Sequence, residues 1–225
     1  MSLASARALR RPLLAALLAA AAGHAADAGA QQPDDTAATI VRGPLGARAD
    51  SLLQAAGRDG FSGVVLLAED GRIVLKKGYG MANRAERIPM TGNSVVQIGS
   101  NTKDFTVVAL LRLVEQGRLR LTDSLGRHFP DVPADKRGIT VEMLLNHRAG
   151  FDQHLGGDFE AIGREAMERR ALASTLRFAP GTDERYSNVG YSLLGAIIER
   201  VTGRSYDEHV RDEILRPLGL HDTGS

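Results

Sequence analysis

The sequence predicts a mixed fold of the α/β (α+β) kind, with a helical region set against an antiparallel sheet. Three observations lead to this prediction: an early helix followed by a hairpin, a nearly continuous apolar segment near the middle of the chain, and helical spacing without strand alternation in the second half. The chain has 225 residues, 43% of them hydrophobic and 24% charged, which is enough for a sizeable core.

The first 30 residues have the pattern of an export signal. Three arginines precede the apolar run PLLAALLAAAA, and small residues that a signal peptidase accepts end at Ala25 or Ala30. The run is shorter than the ~20 residues needed to span a bilayer, so we expect a removed leader and no stable membrane span. We therefore predict a signal peptide over residues 1–30 and a periplasmic or secreted protein; a flexible alanine-rich N-terminus is the alternative.

Charge and cysteine content exclude several classes of protein. The formal net charge is +1, and because residues 1–30 contribute +2, the rest of the chain carries −1. Such a chain offers no basic face to nucleic acid. The absence of cysteine from the sequence excludes disulfides, cysteine nucleophiles and thiolate metal sites.

The predicted elements follow in chain order. Residues 31–46, rich in polar residues, proline and glycine, are predicted to be a linker before a folded domain over 47–225. A short helix is predicted within 47–60, and two β-branched runs on either side of the turn sequence EDG predict a hairpin. The segment Phe105–Val114 is apolar on nearly every face, which predicts a helix buried on all sides and ended by Gly117.

The second half of the chain is predicted to be helical. The segments ITVEMLLNH and DFEAIGREAMERRALASTLRF, between residues 118 and 178, have helical spacing and no strand alternation. Two more helices are predicted in VGYSLLGAIIERVTG and SYDEHVRDEILRPLG, the second ended by Pro217 and Gly219.

Ser100 and Lys103 stand where the apolar helix begins. At a spacing of three residues both side chains project from one face of a helix, so their polar ends can meet. A lysine that is partly dehydrated beside a serine hydroxyl loses its proton more easily than in water and can act as a base. The alternative is a capping box formed by Asn101 and Asp104, which leaves Ser100 and Lys103 unexplained. The pair is common by chance and is weak evidence alone.

A second candidate segment is RFAPGTDERYSNVGY. Pro180 and Gly181 predict a turn, and Ser187 or Asn188 can cap the helix that follows. Tyr186 directly precedes this helix, and a phenol whose pKa is lowered by a neighbouring lysine is a competent proton shuttle.

Three segments, IGSNTKDFT, VEMLLNHRAGF and FAPGTDERYSNVGYSLLGAIIE, in this order resemble the serine β-lactamase and penicillin-binding family. The closest resemblance is to its branch of class C β-lactamases, D-alanyl-D-alanine carboxypeptidases and related esterases. The family pattern S-x-x-K falls on Ser100 and Lys103, and Y-x-N falls on Tyr186 and Asn188. The resemblance covers residues 47–225 and implies a β-lactamase/transpeptidase-like fold.

The resemblance implies an exported serine hydrolase that forms an acyl-enzyme with β-lactam, D-Ala peptide or ester substrates. Ser100 would attack the carbonyl, Lys103 and Tyr186 would share the proton transfers, and Asn188 would bind the acyl side chain and help to hold Lys103. The backbone N–H of Ser100 would be one oxyanion donor. The implied partner is a small molecule or a peptidoglycan peptide, and no metal or organic cofactor is required.

Two features depart from the family pattern. The sequence HRAG at 147–150 stands where the family commonly has a segment ending in Ser-Gly, and we expect His147 to be a structural turn residue rather than a base. The third family motif, K-x-G or H-x-G on a late strand, is not found; HDTG at 221–224 matches a segment that precedes it. We therefore expect the N-terminal part of a longer enzyme, whose antiparallel sheet lacks its C-terminal strands here.

Two other functions stay open at this point. One is a penicillin-sensing or binding module in which Ser100 is acylated without turnover, and the other is a truncated, inactive fragment. A metal site at His147, Asp152 and His154 is a weaker possibility, because their spacings do not match the common metal motifs.

Overall fold

The computed structural model describes residues 38–157, 160 and 162–224 of the chain. The predicted signal peptide lies outside these residues. No helix in this described part is long and apolar enough to cross a membrane.

The chain forms two compact units, the first ending at Val96 and the second beginning at Gln97. The first unit holds the strands and one helix, and the second holds the remaining helices, which confirms the mixed fold class. The elements of the first unit are β1 (Ile40–Val41), α1 (Gly43–Arg58), β2 (Gly63–Glu69), β3 (Arg72–Tyr79), β4 (Met81–Asn83) and β5 (Ile88–Pro89).

The first unit is built on the predicted hairpin. Strands β2 and β3 pair antiparallel, and β1 pairs with the other edge of β3 to give the order β1-β3-β2. Asp70 and Gly71 both have positive φ at the tight turn, which is the conformation that a two-residue hairpin with the sequence Asp-Gly prefers. Strands β4 and β5 form a separate two-stranded sheet.

Helix α1 packs on β3. It begins at Gly43, within the range predicted as a linker, because Pro44 occupies its first turn, where proline is favoured. Gly46 brings the helix so close that a Cβ there would collide with the Val74 carbonyl. Asp50 fixes the register by accepting hydrogen bonds from the Lys77 ammonium and the Tyr79 hydroxyl, both at 2.8 Å.

The second unit is helical, as predicted. Between residues 118 and 178, its described part has a single isolated bridge, Ser124 with Thr140, and no strand. Its elements are a 3₁₀ turn (Gly99–Asn101), α2 (Thr102–Glu115), α3 (Leu125–His128), α4 (Val141–Leu145), α5 (Arg164–Ala173), α6 (Asn188–Thr202), α7 (Tyr206–Val210) and a π-helical turn (Arg211–Leu215).

Helix α6 lies at the centre of this unit and contacts α2, α4, α5 and α7. Its core-facing side chains are fully buried. Ser187 caps its N-terminus through its side chain, and Gly203 caps its C-terminus in the left-handed conformation. The large apolar side chains that it buries are Leu193, Leu194, Ile197 and Ile198.

The expectation that α2 is buried on every face is wrong. One stripe of the helix, which includes Ala109, Leu110 and Leu113, is fully buried. Val108 and Leu111 are 44% and 46% exposed, because only one side of α2 faces the core around α6. The predicted stop is confirmed, since the helix ends just before Gly117, which has φ of 69°.

Candidate active site

Ser100 lies in the 3₁₀ turn that leads into α2. Gly99 has φ of 55°, a conformation in which a side chain is strained, and its carbonyl accepts a 2.8 Å hydrogen bond from the Thr102 hydroxyl. The alternative, a capping box of Asn101 and Asp104, is not formed, because Asn101 has helical backbone angles and its side chain makes no cap hydrogen bond. The start of α2 is therefore shaped by Gly99 and Thr102, and it leaves the Ser100 hydroxyl exposed.

Lys103 projects from the first turn of α2 toward the neighbouring helix. Its Nζ donates to Asn188 Oδ1 at 2.7 Å and to Ser100 Oγ at 3.5 Å. Ser100 of the 3₁₀ turn and Asn188, the first residue of α6, thus both contact the Lys103 ammonium. The ammonium also lies 4.8 Å from the centre of the Tyr186 ring.

Tyr186 completes the cluster. Its hydroxyl oxygen lies 2.6 Å from Ser100 Oγ, a hydrogen bond in which either oxygen can donate. The Lys103 side chain and then the hydrogen bond to Ser100 lower the pKa of the Tyr186 phenol below its ordinary value. The phenolate is therefore easier to form here than in water, which suits a group that exchanges protons with Ser100.

Ser187 holds the short segment that carries Tyr186 and Asn188. Its hydroxyl accepts from Gly190 N at 3.0 Å, which is the predicted N-cap of α6, and donates to the Asp152 carbonyl at 2.7 Å. Its own N–H donates to His147 Nδ1 at 3.2 Å, and the Asn188 N–H donates to the Gln153 carbonyl at 3.0 Å. The two site residues are thus fixed by buried contacts from another loop.

His147 packs its ring against the rings of Tyr186 and Tyr191. It has φ of 58° in the turn after α4, and its ring centre lies 4.7 Å from that of Tyr186 and 5.2 Å from that of Tyr191. Burial and the nearby Lys103 charge lower the pKa of His147. A neutral imidazole that accepts a backbone hydrogen bond at Nδ1 carries its proton on Nε2.

The sequence did not predict two residues, Tyr191 and His154, at this cluster; His154 was considered only as a metal ligand. The Tyr191 ring lies 5.2 Å from Lys103 Nζ, and its hydroxyl donates to the Leu145 carbonyl at 3.1 Å. His154 Nδ1 lies 3.5 Å from Asn188 Nδ2. The signal for Tyr191 was available, because it follows Asn188 by three residues and must share its helix face. His154 carries no such signal, since a loop brings it to α6.

A cavity of about 470 Å³ opens beside Lys103 and Asn188, between α2 and α6. A second cavity of about 330 Å³ shares part of its wall, including Asn188 and Met167. Two residues of the Ser100 cluster, Lys103 and Asn188, therefore form part of the wall of the first cavity. The described lining of the first cavity is Thr102, Lys103, Thr106, Ile162, Arg164, Met167, Asn188, Tyr191, Ser192, Gly195 and Tyr206.

Asp152, one of the three candidate metal ligands, forms ion pairs instead. The Asp152 carboxylate is bound by the guanidinium groups of Arg177 and Arg185, which keep its pKa below the usual range together with the Gln153 N–H. No group of three or more histidines and carboxylates in the described residues is arranged to hold a metal ion.

Comparison with known proteins gives a match to one family model, described as Beta-lactamase, over residues 49–225. The chain is 32% identical over 173 residues to penicillin-binding protein 4* of Bacillus subtilis (strain 168), an alignment that covers 72% of this chain and 38% of that protein.

Two solved structures are similar in both fold and sequence. The octameric penicillin-binding protein homologue from Pyrococcus abyssi has a TM-score of 0.67 at 31% identity, over 80% of this chain and 44% of the other. The D-amino acid amidase from Ochrobactrum anthropi SV3, complexed with D-phenylalanine, has a TM-score of 0.70 at 29% identity, over 81% and 55%. The chain thus spans well under two thirds of the proteins it matches.

Proposed function

This chain belongs to the Beta-lactamase family, and on that premise we propose that the full-length protein is a serine hydrolase that works through an acyl-enzyme. The observation that carries the proposal is the meeting of Ser100, Lys103, Tyr186 and Asn188, although the serine and the tyrosine are 86 residues apart in the chain. The proposal is supported by the similar proteins, which include a penicillin-binding protein, a D-amino acid amidase and a hydrolase with promiscuous acyltransferase activity.

In the proposed acylation step Ser100 Oγ attacks the substrate carbonyl while the Tyr186 phenolate takes the serine proton. The 2.6 Å separation of the two oxygens lets this proton move without rearrangement. The tetrahedral intermediate then collapses, the bond to the leaving group breaks, and Tyr186 returns the proton to the leaving amine or alcohol. Lys103 stabilises the phenolate through its charge.

In the proposed deacylation step a water molecule attacks the ester carbonyl of acylated Ser100. Tyr186 removes a proton from that water and returns it to Ser100 Oγ as the acyl bond breaks, so the enzyme ends as it began. The Ser100 N–H, in the 3₁₀ turn before α2, is one donor to the oxyanion in both steps. Asn188 Oδ1 accepts from Lys103, and its Nδ2, which lies 3.5 Å from His154 Nδ1, has a second hydrogen to donate to the acyl side chain.

The proposal is tested by replacing Ser100 with alanine in the full-length protein. We expect this variant to lose all covalent labelling by a reactive β-lactam or an activated ester, as measured by the mass of the intact protein. Ser51→Ala, at an exposed serine of α1, is the control and is expected to label fully. Undiminished labelling of Ser100→Ala would show that the nucleophile is elsewhere.

The time course of product release from the same substrates distinguishes an enzyme from a sensing module. A hydrolase releases product steadily after the first turnover, whereas a penicillin sensor gives a burst of one equivalent and then stops. We propose steady release, with a β-lactam, a D-Ala peptide or an ester as substrate class.

We also propose that the protein is exported to the periplasm or secreted. The arginines, apolar run and small residues of the first 30 positions support this proposal. N-terminal sequencing of the mature protein is expected to begin after Ala25 or Ala30. A mature chain that still begins at Met1 would contradict the proposal.

A further inference from the structure

The cavity beside Lys103 carries positive charge at two places. Lys103 stands at the end where Ser100 lies, and Arg164, the first residue of α5, contributes to the wall. The remaining described lining residues are neutral, with Ile162 and Met167 supplying apolar surface. The described lining therefore has two cations and no carboxylate, and one of the cations, Arg164, forms an ion pair with Glu199 outside the lining.

Arg164 is held in a defined position. Its Nη2 donates to Glu199 Oε1 at 2.8 Å, and the same carboxylate oxygen accepts from the Tyr206 N–H at 2.8 Å. A Cβ at Gly195 would lie 3.1 Å from Arg164 Nη1, so the guanidinium lies directly against the α6 backbone at that glycine. A guanidinium anchored through one nitrogen keeps other N–H groups with which to donate to a ligand.

Arg164 contacts α6 about two turns beyond the residue that binds Lys103. Gly195 follows Asn188 by seven residues along α6, which corresponds to about 10 Å at the rise of an α-helix. An acyl side chain that enters the cavity and runs along α6 from Asn188 would therefore meet Arg164. Arginine binds carboxylates through parallel N–H donors, which makes a terminal carboxylate its best-fitting ligand.

We propose that Arg164 is a specificity residue that selects substrates whose acyl side chain ends in a carboxylate and is long enough to reach from Ser100 past Asn188 to the cavity wall at Gly195. The proposal rests on the proposed acyl-enzyme at Ser100 and adds a substrate class to it. Lys103 does not compete for the distant carboxylate, because its ammonium is occupied by Asn188 and Ser100.

The test uses p-nitrophenyl monoesters of straight-chain dicarboxylic acids of increasing length, each paired with the analogue whose far carboxylate is a methyl ester. In the full-length protein we expect kcat/KM to favour the free acid by about tenfold at one chain length, as a charge-assisted hydrogen bond supplies. The preference should fall as salt is raised, because Arg164 is partly exposed.

For each variant we measure the ratio of kcat/KM for the free acid to that for its methyl ester. A change in the folded fraction alters both values equally and leaves the ratio unchanged. Arg164→Gln is expected to bring the ratio to about one, whereas Arg164→Lys keeps part of the preference. Arg169→Gln, at an exposed arginine of the same helix outside the cavity wall, is the matched control and is expected to keep it all.

The outcomes distinguish the two proposals. If both esters acylate Ser100 but the free acid is not preferred at any length, or if Arg164→Gln keeps the preference, the specificity proposal fails and the hydrolase stands. A merely structural role for Arg164 gives that second result, because both rates would fall together. If no ester acylates Ser100, the proposed function itself is wrong.

Discussion

Lys103 is surrounded by neutral groups. Its ammonium contacts an amide oxygen, a hydroxyl and the faces of two tyrosine rings, and no carboxylate in the described residues forms an ion pair with it. An ammonium without a carboxylate partner keeps its full effect on nearby titrating groups. This explains why the pKa of Tyr186 is lowered, whereas burial and the Asp50 carboxylate raise that of Tyr79.

This arrangement predicts the pH dependence of acylation. Because Lys103 lowers the pKa of Tyr186, the active phenolate is lost as pH falls through that value and is present above it. In Lys103→Met we expect the acylation rate at pH 7 to fall about 10²- to 10⁴-fold and its rise with pH to move to higher pH. Stopped-flow acylation over a pH series measures both effects.

Lys77→Met is the matched control for this experiment. Lys77 also lies over a tyrosine ring, at 5.4 Å from the centre of Tyr79, but in the first unit. We expect the midpoint of its acylation profile to equal that of the native protein. A Lys103→Met profile with an unshifted midpoint would contradict the role of the ammonium.

At the scale of elements, the N-cap of α6 links the stability of the helix to the site. Ser187 caps the helix and also binds the loop at Asp152, and its neighbours on both sides are the site residues Tyr186 and Asn188. The sequence indicated a cap at Ser187 or Asn188, because either residue type before an apolar helical pattern is a common N-cap, and the structure has Ser187. It could not predict the loop contact, which depends on a residue 35 positions earlier.

Replacement of Ser187 is expected to affect both properties. In Ser187→Ala the free energy of unfolding should fall by about 0.5–2 kcal/mol because the cap is lost. We also expect kcat/KM to fall by about tenfold, since Tyr186 and Asn188 are no longer held in place. Urea unfolding and steady-state kinetics measure the two effects.

Ser205→Ala separates the two contributions. Ser205 forms a capping box with Glu208 at the start of α7, so its loss removes the same kind of contact at a different helix. A similar loss of stability with unchanged kcat/KM is expected. If both variants lose activity in parallel, the effect of Ser187 is on folding alone.

At the scale of the whole molecule, the sequence predicted the helices and the hairpin but not which helix is central. Periodicity identified α2 and α6 as apolar, yet it could not show that α6 contacts four other helices while α2 keeps an exposed side. The residues of the site followed from the family motifs. Tyr191, His154 and Arg164 did not, because their positions depend on how separate elements pack.

Two histidines of the second unit, the half-buried His128 and the buried His209, make its stability dependent on pH. Burial lowers the pKa of His128 and His209, and the Nε2 atom of each is buried without a hydrogen-bond partner in the described structure. In the unfolded chain a histidine titrates near pH 6.5. As pH falls below that value, these histidines are protonated in the unfolded chain but stay neutral in the folded protein. The free energy of unfolding therefore decreases.

The histidines and the carboxylates lower the stability of the protein in different pH ranges. The pKa values of Asp152, Glu208 and Asp212 are lowered by hydrogen bonds and nearby arginines, so their contribution is lost only below about pH 4. A decline between pH 6.5 and 5 is therefore due to histidines.

The double variant His128→Leu, His209→Leu tests this assignment. It removes two titrating groups whose Nε2 atoms make no hydrogen bond, so we expect the thermal midpoint to change less between pH 7 and 5 than in the native protein. His221→Leu, at an exposed histidine, should leave the slope unchanged. If the double variant and the native protein lose stability in parallel over this range, the buried imidazoles are not the groups that take up protons on unfolding, and the pH dependence must come from other residues of the chain.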